Sequence, residues 1–108
     1  MRIEDLLRKK SAALITVGPD DTVGTVADLI TTNNIGALPV CDTQGALVGI
    51  ISERDIVRGL SERTDGTHEI KVSDLMTSDV MTCVPGDDAV ETMAVMGKNH
   101  FRHIPVVE

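Results

Sequence analysis

Apolar and polar positions alternate in two distinct periods along the chain, and the switches between them mark the elements. Ala13–Val17 is a short apolar run that predicts a strand. Pro19-Asp20-Asp21-Thr22 reads as a turn ending in a helix cap. Val23, Val26, Ala27 and Ile30 then recur at i, i+3, i+4 and i+7, the spacing of one helix face, and Asn33-Asn34 ends that helix. Ala37–Cys41 predicts a strand, Asp42–Gly45 a turn and Ala46–Ile51 a second strand. Ser52 caps a further helix, expected to run through Leu60 with Ile56, Val57 and Leu60 on its apolar face.

The pattern returns later in the chain. With Pro19 set against Pro85, an offset of 66, Thr16 falls on Thr82, Asp21 on Asp87, Asn33 on Asn99, Pro39 on Pro105 and Val40 on Val106. Apolar class is kept at Leu14/Val80, Leu29/Val95, Ile30/Met96 and Leu38/Ile104. The lead-in repeats as well: Glu4-Asp5-Leu6-Leu7 resembles Ser73-Asp74-Leu75-Met76 at an offset of 69. In the second copy the helix is expected to carry Val90, Met93, Ala94 and Gly97 on one face. The organisation predicted is a first repeat over 1–62 with an N-terminal lead-in helix, a polar linker over 63–71, and a second repeat over 72–108. Glu108 corresponds to Asp42, so the second repeat lacks counterparts of Thr43 to Leu60, the last strand and helix. An apolar sheet edge left open in this way predicts that a second copy covers it, as a homodimer.

Charge and composition narrow the functions available. The net charge is −7, the wrong sign for a general nucleic-acid or anionic-membrane surface. Phe101 is the sole aromatic residue, which removes the stacking platform used for single strands. Any anionic ligand must be held by a local cluster of basic groups. Cys41 and Cys83 form no CxxC motif and have no His pair at metal-ligand spacing, so reduced structural thiols, no metal site and a cytoplasmic location are expected. No apolar run approaches a membrane span, and MRIEDLLRKK lacks the apolar core of a signal peptide. There is no GxSxG, HExxH or Walker motif, so no catalytic activity is expected.

Two clusters carry candidate chemistry. Ser52-x-x-Asp55 follows a strand and opens a helix. As a capping box it satisfies early amides and complements the helix dipole. The same geometry suits a ligand, because a helix N-terminus with a free hydroxyl holds anions and a carboxylate there accepts a ribose diol. Arg102-His103, just before Ile104-Pro105-Val106, is one of the few basic clusters. It reads either as a solvated rim or as a phosphate fork. Arg54 is a weaker phosphate candidate, and Arg58 is expected to stay in solvent.

Taken together, Val17-Gly18-Pro19-Asp20-Asp21-Thr22-Val23, Gly36-Ala37-Leu38-Pro39-Val40, Gly49-Ile50-Ile51-Ser52-Glu53-Arg54-Asp55-Ile56, Lys71-Val72-Ser73-Asp74-Leu75-Met76-Thr77 and Phe101-Arg102-His103-Ile104-Pro105-Val106-Val107 resemble a tandem pair of CBS domains, a Bateman module. The resemblance spans nearly the whole chain. It implies an α+β fold of two β-α-β-β-α repeats about a pseudo-twofold axis, the second here without its last strand and helix. It also implies a regulatory module without catalysis that binds an adenine nucleotide such as AMP, ADP, ATP or NAD between the repeats, and that pairs into dimers. A purely structural dimerisation domain with no bound ligand is the alternative.

By the same resemblance one cleft takes Ser52, Asp55 and Arg54 from the first repeat, and Thr82, Ile104 and Pro105 as the base pocket of the second. Arg102 and His103 would reach the phosphates. A second, weaker cleft would be built on Thr16, Leu38 and Pro39. Gly36 and Ala37 stand there in place of Arg102 and His103.

Overall fold

The computed structural model describes residues 1–7, 15–62, 69–99 and 103–107. Its elements run α1 (Ile3–Leu7), α2 (Val23–Asn33), β1 (Ala37–Cys41), β2 (Leu47–Ser52), α3 (Glu53–Glu62), α4 (Val72–Leu75) and α5 (Ala89–Asn99). They divide into two compact units, one of residues 15–79 and one of residues 1–14 with 80–108.

In the 15–79 unit, each boundary has a local cause. Asp21 Oδ2 accepts the Gly18 N–H at 2.7 Å and closes the turn before α2. Thr22 is the N-cap, its Oγ1 accepting the Thr25 N–H, and Asn34 ends the helix at φ 52° in the left-handed region that Asn tolerates. β1 and β2 pair antiparallel, with Leu38 opposite Ile51 and Pro39 opposite Ile50. Their turn is held by Asp42, whose Oδ1 accepts the Gln44 and Ala46 N–H groups at 2.9 Å, while Gly45 adopts φ 83°. Leu38, Ile51, Val26, Val40 and Val72 are the largest fully buried side chains, each contributing about 1.5–3 kcal/mol by leaving water. Val17, Ile30 and part-buried Ile15, Leu29 and Ile56 complete this core.

The second unit repeats the bonds of the first on a smaller scale. Val17 donates to the Pro39 carbonyl and accepts from Cys41 N–H; Cys83 donates to Pro105 and accepts from Val107. Asp87 Oδ2 accepts Val84 N–H as Asp21 accepts Gly18 N–H. Ile3, Cys83 and Ala89 are buried, with Ile104 and Val106 packed on them.

The lead-ins are exchanged between the copies. Val72 N–H donates to the Asp21 carbonyl at 2.8 Å, Ser73 to Pro19 at 3.0 Å and Val23 to Ile70 at 2.8 Å. The matching bonds in the other unit run from Ile3 to Asp87, Glu4 to Pro85 and Ala89 to Met1, at 2.8–2.9 Å. The lead-in of the second repeat thus packs on the first, and that of the first packs on the second. The residues expected in the linker divide accordingly: Ile70 is buried and Lys71 bridges Thr22, whereas residues 63–68 lie outside the described set.

Several expectations need correcting. The strand at Ala13–Val17 reduces to one parallel bridge, Val17 with Val40, and Ala13 and Leu14 lie outside the described residues. The second copy has bridges but no ladder of strands among its described residues. α3 turns Asp55 and Gly59 inward, while Val57 and Leu60 are 63% and 50% exposed. Gly59 lets the Leu75 side chain lie close against α3, where an added methyl group would stand 2.6 Å from its Cδ1. On α5 the predicted face is the outer one: Val90 and Met93 are 69% and 65% exposed, and Ala94 and Gly97 are exposed too. The inward positions are Ala89, Thr92 and Met96, the counterparts of Val23, Val26 and Ile30. Asp88 sets this phase by accepting the Glu91 N–H, as Thr22 accepts that of Thr25.

Candidate functional site

Ser52 ends β2 and Asp55 lies in the first turn of α3, so the strand-to-helix junction brings them together. Asp55 is only 5% exposed. Its Oδ2 accepts the Ser52 N–H at 2.9 Å and the Ser52 Oγ–H at 3.1 Å, and its own N–H donates back to Ser52 Oγ at 3.3 Å. This is the capping box in full. The Glu53 N–H donates to the Gly36 carbonyl at 3.0 Å and ties the helix start to the strand before it. Burying a carboxylate requires compensation. Here Arg58 supplies it, with Nη2 donating to Asp55 Oδ1 at 2.6 Å. Arg58 is exposed as expected, with its side chain 57% in solvent, and one guanidinium nitrogen is engaged by Asp55. The i,i+3 spacing on one helix face was the available signal. Arg54 is exposed and makes no hydrogen bond or ion pair among the described residues.

Thr82 and Ile104 come together in the other unit. They line a pocket of about 230 Å³ with Met81, Cys83, Asp87, Asp88, Glu91, Thr92 and Val95. That volume fits a group the size of a base and falls short of a whole nucleotide-sized ligand. Its polar lining accepts hydrogen bonds. Asp87 is held by Val84 N–H, and Asp88 by Glu91 N–H and, at 3.8 Å, by the Met1 ammonium. Three carboxylates repel phosphate and suit neutral donors such as amino and hydroxyl groups. Burial, and then the nearby Asp87 carboxylate, push the Cys83 thiol above its ordinary range, so it stays protonated at the pocket wall. The acidic lining was missed in the sequence, where Asp87 figures only as the counterpart of Asp21.

The remaining candidates divide. His103 is exposed, and Pro105 is half-buried with its carbonyl accepting Cys83 N–H. Arg102 lies outside the described residues. Thr16 is exposed and Pro39 half-buried. Leu38 is corrected from a cleft wall to a core residue: at 1% exposure it has no surface to offer a ligand. No helix among the described residues is long and apolar enough to cross a membrane.

Comparison with known proteins follows this geometry. The family model for the CBS domain matches residues 3–62 and 72–108. Inosine-5'-monophosphate dehydrogenase of Methanocaldococcus jannaschii is 38% identical over 95 residues, which are 88% of this chain and 18% of that protein. The curated relatives that head the comparison are all longer, the chain spanning 18%, 54% and 33% of their lengths. Among solved structures, the CBS-domain protein ATU1752 of Agrobacterium tumefaciens superposes with a TM-score of 0.93 at 34% identity, covering 100% of this chain and 86% of that one. The CBS domain pair of protein MJ0100, in complex with 5'-methylthioadenosine and S-adenosyl-L-methionine, gives 0.86 at 26% identity, covering 100% and 81%. CBSX2 in complex with AMP gives 0.71 at 26% identity, covering 88% and 73%.

Proposed function

The chain belongs to the CBS domain family and has the α+β fold of a CBS pair, and from that premise we propose that it is a regulatory module, without catalysis of its own, that binds an adenosine-containing ligand. The observation that carries this reading is the buried Asp55 carboxylate at the start of α3, paired with the Ser52 hydroxyl. A carboxylate and a hydroxyl at a helix N-terminus are matched to a ribose diol and its neighbouring groups. The Thr82–Ile104 pocket supports the reading by its size and by its acceptor lining. Neighbours in complex with AMP, 5'-methylthioadenosine and S-adenosyl-L-methionine support the adenosine core shared by AMP, ADP, ATP and NAD. Ser52 and Asp55 are assigned to the ribose, Thr82, Ile104 and Pro105 to the base, and Arg54, Arg102 and His103 to the phosphates. Thr16 and Pro39 remain a weaker second position, so one ligand per chain is expected.

The test is a thermal-shift series with AMP, ADP, ATP, NAD and S-adenosylmethionine, followed by calorimetry on whichever binds. A ligand present at about 100 times its Kd stabilises by roughly 2.7 kcal/mol. For a domain of this size that raises Tm by about 10 °C or more. No shift with any of them sinks the proposal in favour of a structural dimerisation domain. Self-association belongs to either reading. The outer side of α5, where Val90 and Met93 are exposed alongside Glu91 and Lys98, is the surface assigned to a second copy.

A further inference from the structure

The bonds to Asp55 can be counted against what a ligand would need. A carboxylate offers about four lone-pair positions. Three donors already use them: Ser52 N–H and Ser52 Oγ–H on Oδ2, and Arg58 Nη2 on Oδ1. A ribose diol brings two O–H donors, so at least one resident donor must leave. The Ser52 N–H is fixed by the backbone. The Ser52 hydroxyl is free to rotate, but its oxygen also accepts the Asp55 N–H. Arg58 is the remaining donor, and it is differently placed from the others. Its side chain is 57% exposed, while its partner carboxylate is 6% exposed. An ordinary exposed i,i+3 pair has little consequence. This one supplies the only counter-charge the described residues give a buried carboxylate, from a long side chain that can swing through water.

We propose that Arg58 is a latch on Asp55 that makes binding depend on the ligand's phosphate. In the ligand-free protein the guanidinium occupies Asp55 Oδ1. A ligand that offers only hydroxyl groups must displace it and leaves the guanidinium no anion in exchange. A ligand that carries a phosphate beside the ribose takes up the displaced guanidinium, which is suited to bind it by two parallel hydrogen bonds. The inference rests on the assignment of the ribose to Ser52 and Asp55.

The experiment compares AMP with adenosine by calorimetry on the full chain, in the unaltered protein and in Arg58→Ala. The unaltered protein is expected to favour AMP over adenosine by at least tenfold. In Arg58→Ala the two ligands should respond differently. AMP weakens about tenfold, the usual scale for one charge-assisted hydrogen bond, while adenosine binds as well as before or more tightly. An unchanged AMP-to-adenosine ratio, or parallel loss of both, overturns the latch and leaves the binding proposal standing. Failure of the unaltered protein to bind either ligand at millimolar concentration overturns the latch, and the binding proposal falls with it only if the wider thermal-shift series is also negative. If circular dichroism shows that Arg58→Ala does not fold, Arg58→Gln keeps a neutral donor on Asp55 and is read by the same ratio. Narrowing there supports the latch, and an unchanged ratio overturns it.

Discussion

Gly49 in β2 lies directly beneath the carbonyl of Thr77, so close that a methyl group added to its Cα would stand 2.9 Å from that oxygen. Thr77 also exchanges two backbone hydrogen bonds with Ile50, at 2.8 and 2.9 Å, and so adds a short segment to the outer side of β2. The oxygen cannot retreat without breaking that pairing. Gly49→Ala is therefore expected to destabilise the protein by about 1–3 kcal/mol, as overpacking does elsewhere. Urea unfolding measures it; a midpoint equal to that of the unaltered protein would contradict the close approach.

Asp55→Asn separates capping from binding. Asn keeps a side-chain oxygen at the start of α3 but gives up the charge that Arg58 and a ribose diol use. Nucleotide affinity should fall by about 2–4 kcal/mol through loss of charge-assisted hydrogen bonds. Stability should fall by about 1 kcal/mol. Calorimetry and unfolding on the same variant give both figures. Loss of stability with full retention of affinity would assign Asp55 to the cap alone.

Cys83 makes stability depend on alkaline pH. Burial raises its thiol above the ordinary 9.0, with Asp87 adding to the effect. The folded state therefore holds the thiol proton more tightly than the unfolded state does. That contribution is complete below pH 9 and is lost as pH rises through the raised value. Unfolding midpoints should drop above pH 9 more steeply in the unaltered protein than in Cys83→Ala. Equal slopes in the two proteins would refute the assignment.

Met93→Lys tests the outer face of α5. The residue is 65% exposed, so the change leaves the core of its unit untouched. Sedimentation at tens of micromolar should show a dimer for the unaltered protein and a shift toward monomer for the variant. A well-folded monomer in both cases would remove this face as a self-association surface.

Much of this architecture was legible in the residues, because local chemistry decides it. Thr22 at a cap, Val23, Val26 and Ile30 at helical spacing, and Gly45 at a positive-φ turn position each point to a single conformation. The offsets of 66 and 69 carried the first copy's reading to the second. What was not legible depends on phase and partner. Val90 and Met93 are as apolar as Ala89 and Met96, so apolarity alone does not choose the inward pair; the offset of 66 from Val23, Val26 and Ile30, together with the Asp88 cap, does. Leu38 has the hydrophobicity of a cleft wall and of a core residue alike; only its position opposite Ile51 in the ladder assigns it to the core. The Arg58–Asp55 pairing was within reach of its i,i+3 spacing, but the burial of Asp55 that gives it weight belongs to the fold.

The crossed lead-ins also set an order of assembly. The bond from Val23 to Ile70 closes a loop within the first two thirds of the chain, whereas the bond from Ala89 to Met1 spans nearly all of it. On a ribosome the Ile3 lead-in must wait for Asp87, which emerges long after it, before it can dock. The Val72 segment can dock while the rest is still being made. A cut made at the boundary of the sequence repeats would strand Ile3 without its socket and leave the first repeat's socket without Val72. One cut between the sequence repeats therefore unmakes both units, and pulse-labelled hydrogen exchange should show the Val72 amide protected before that of Ile3.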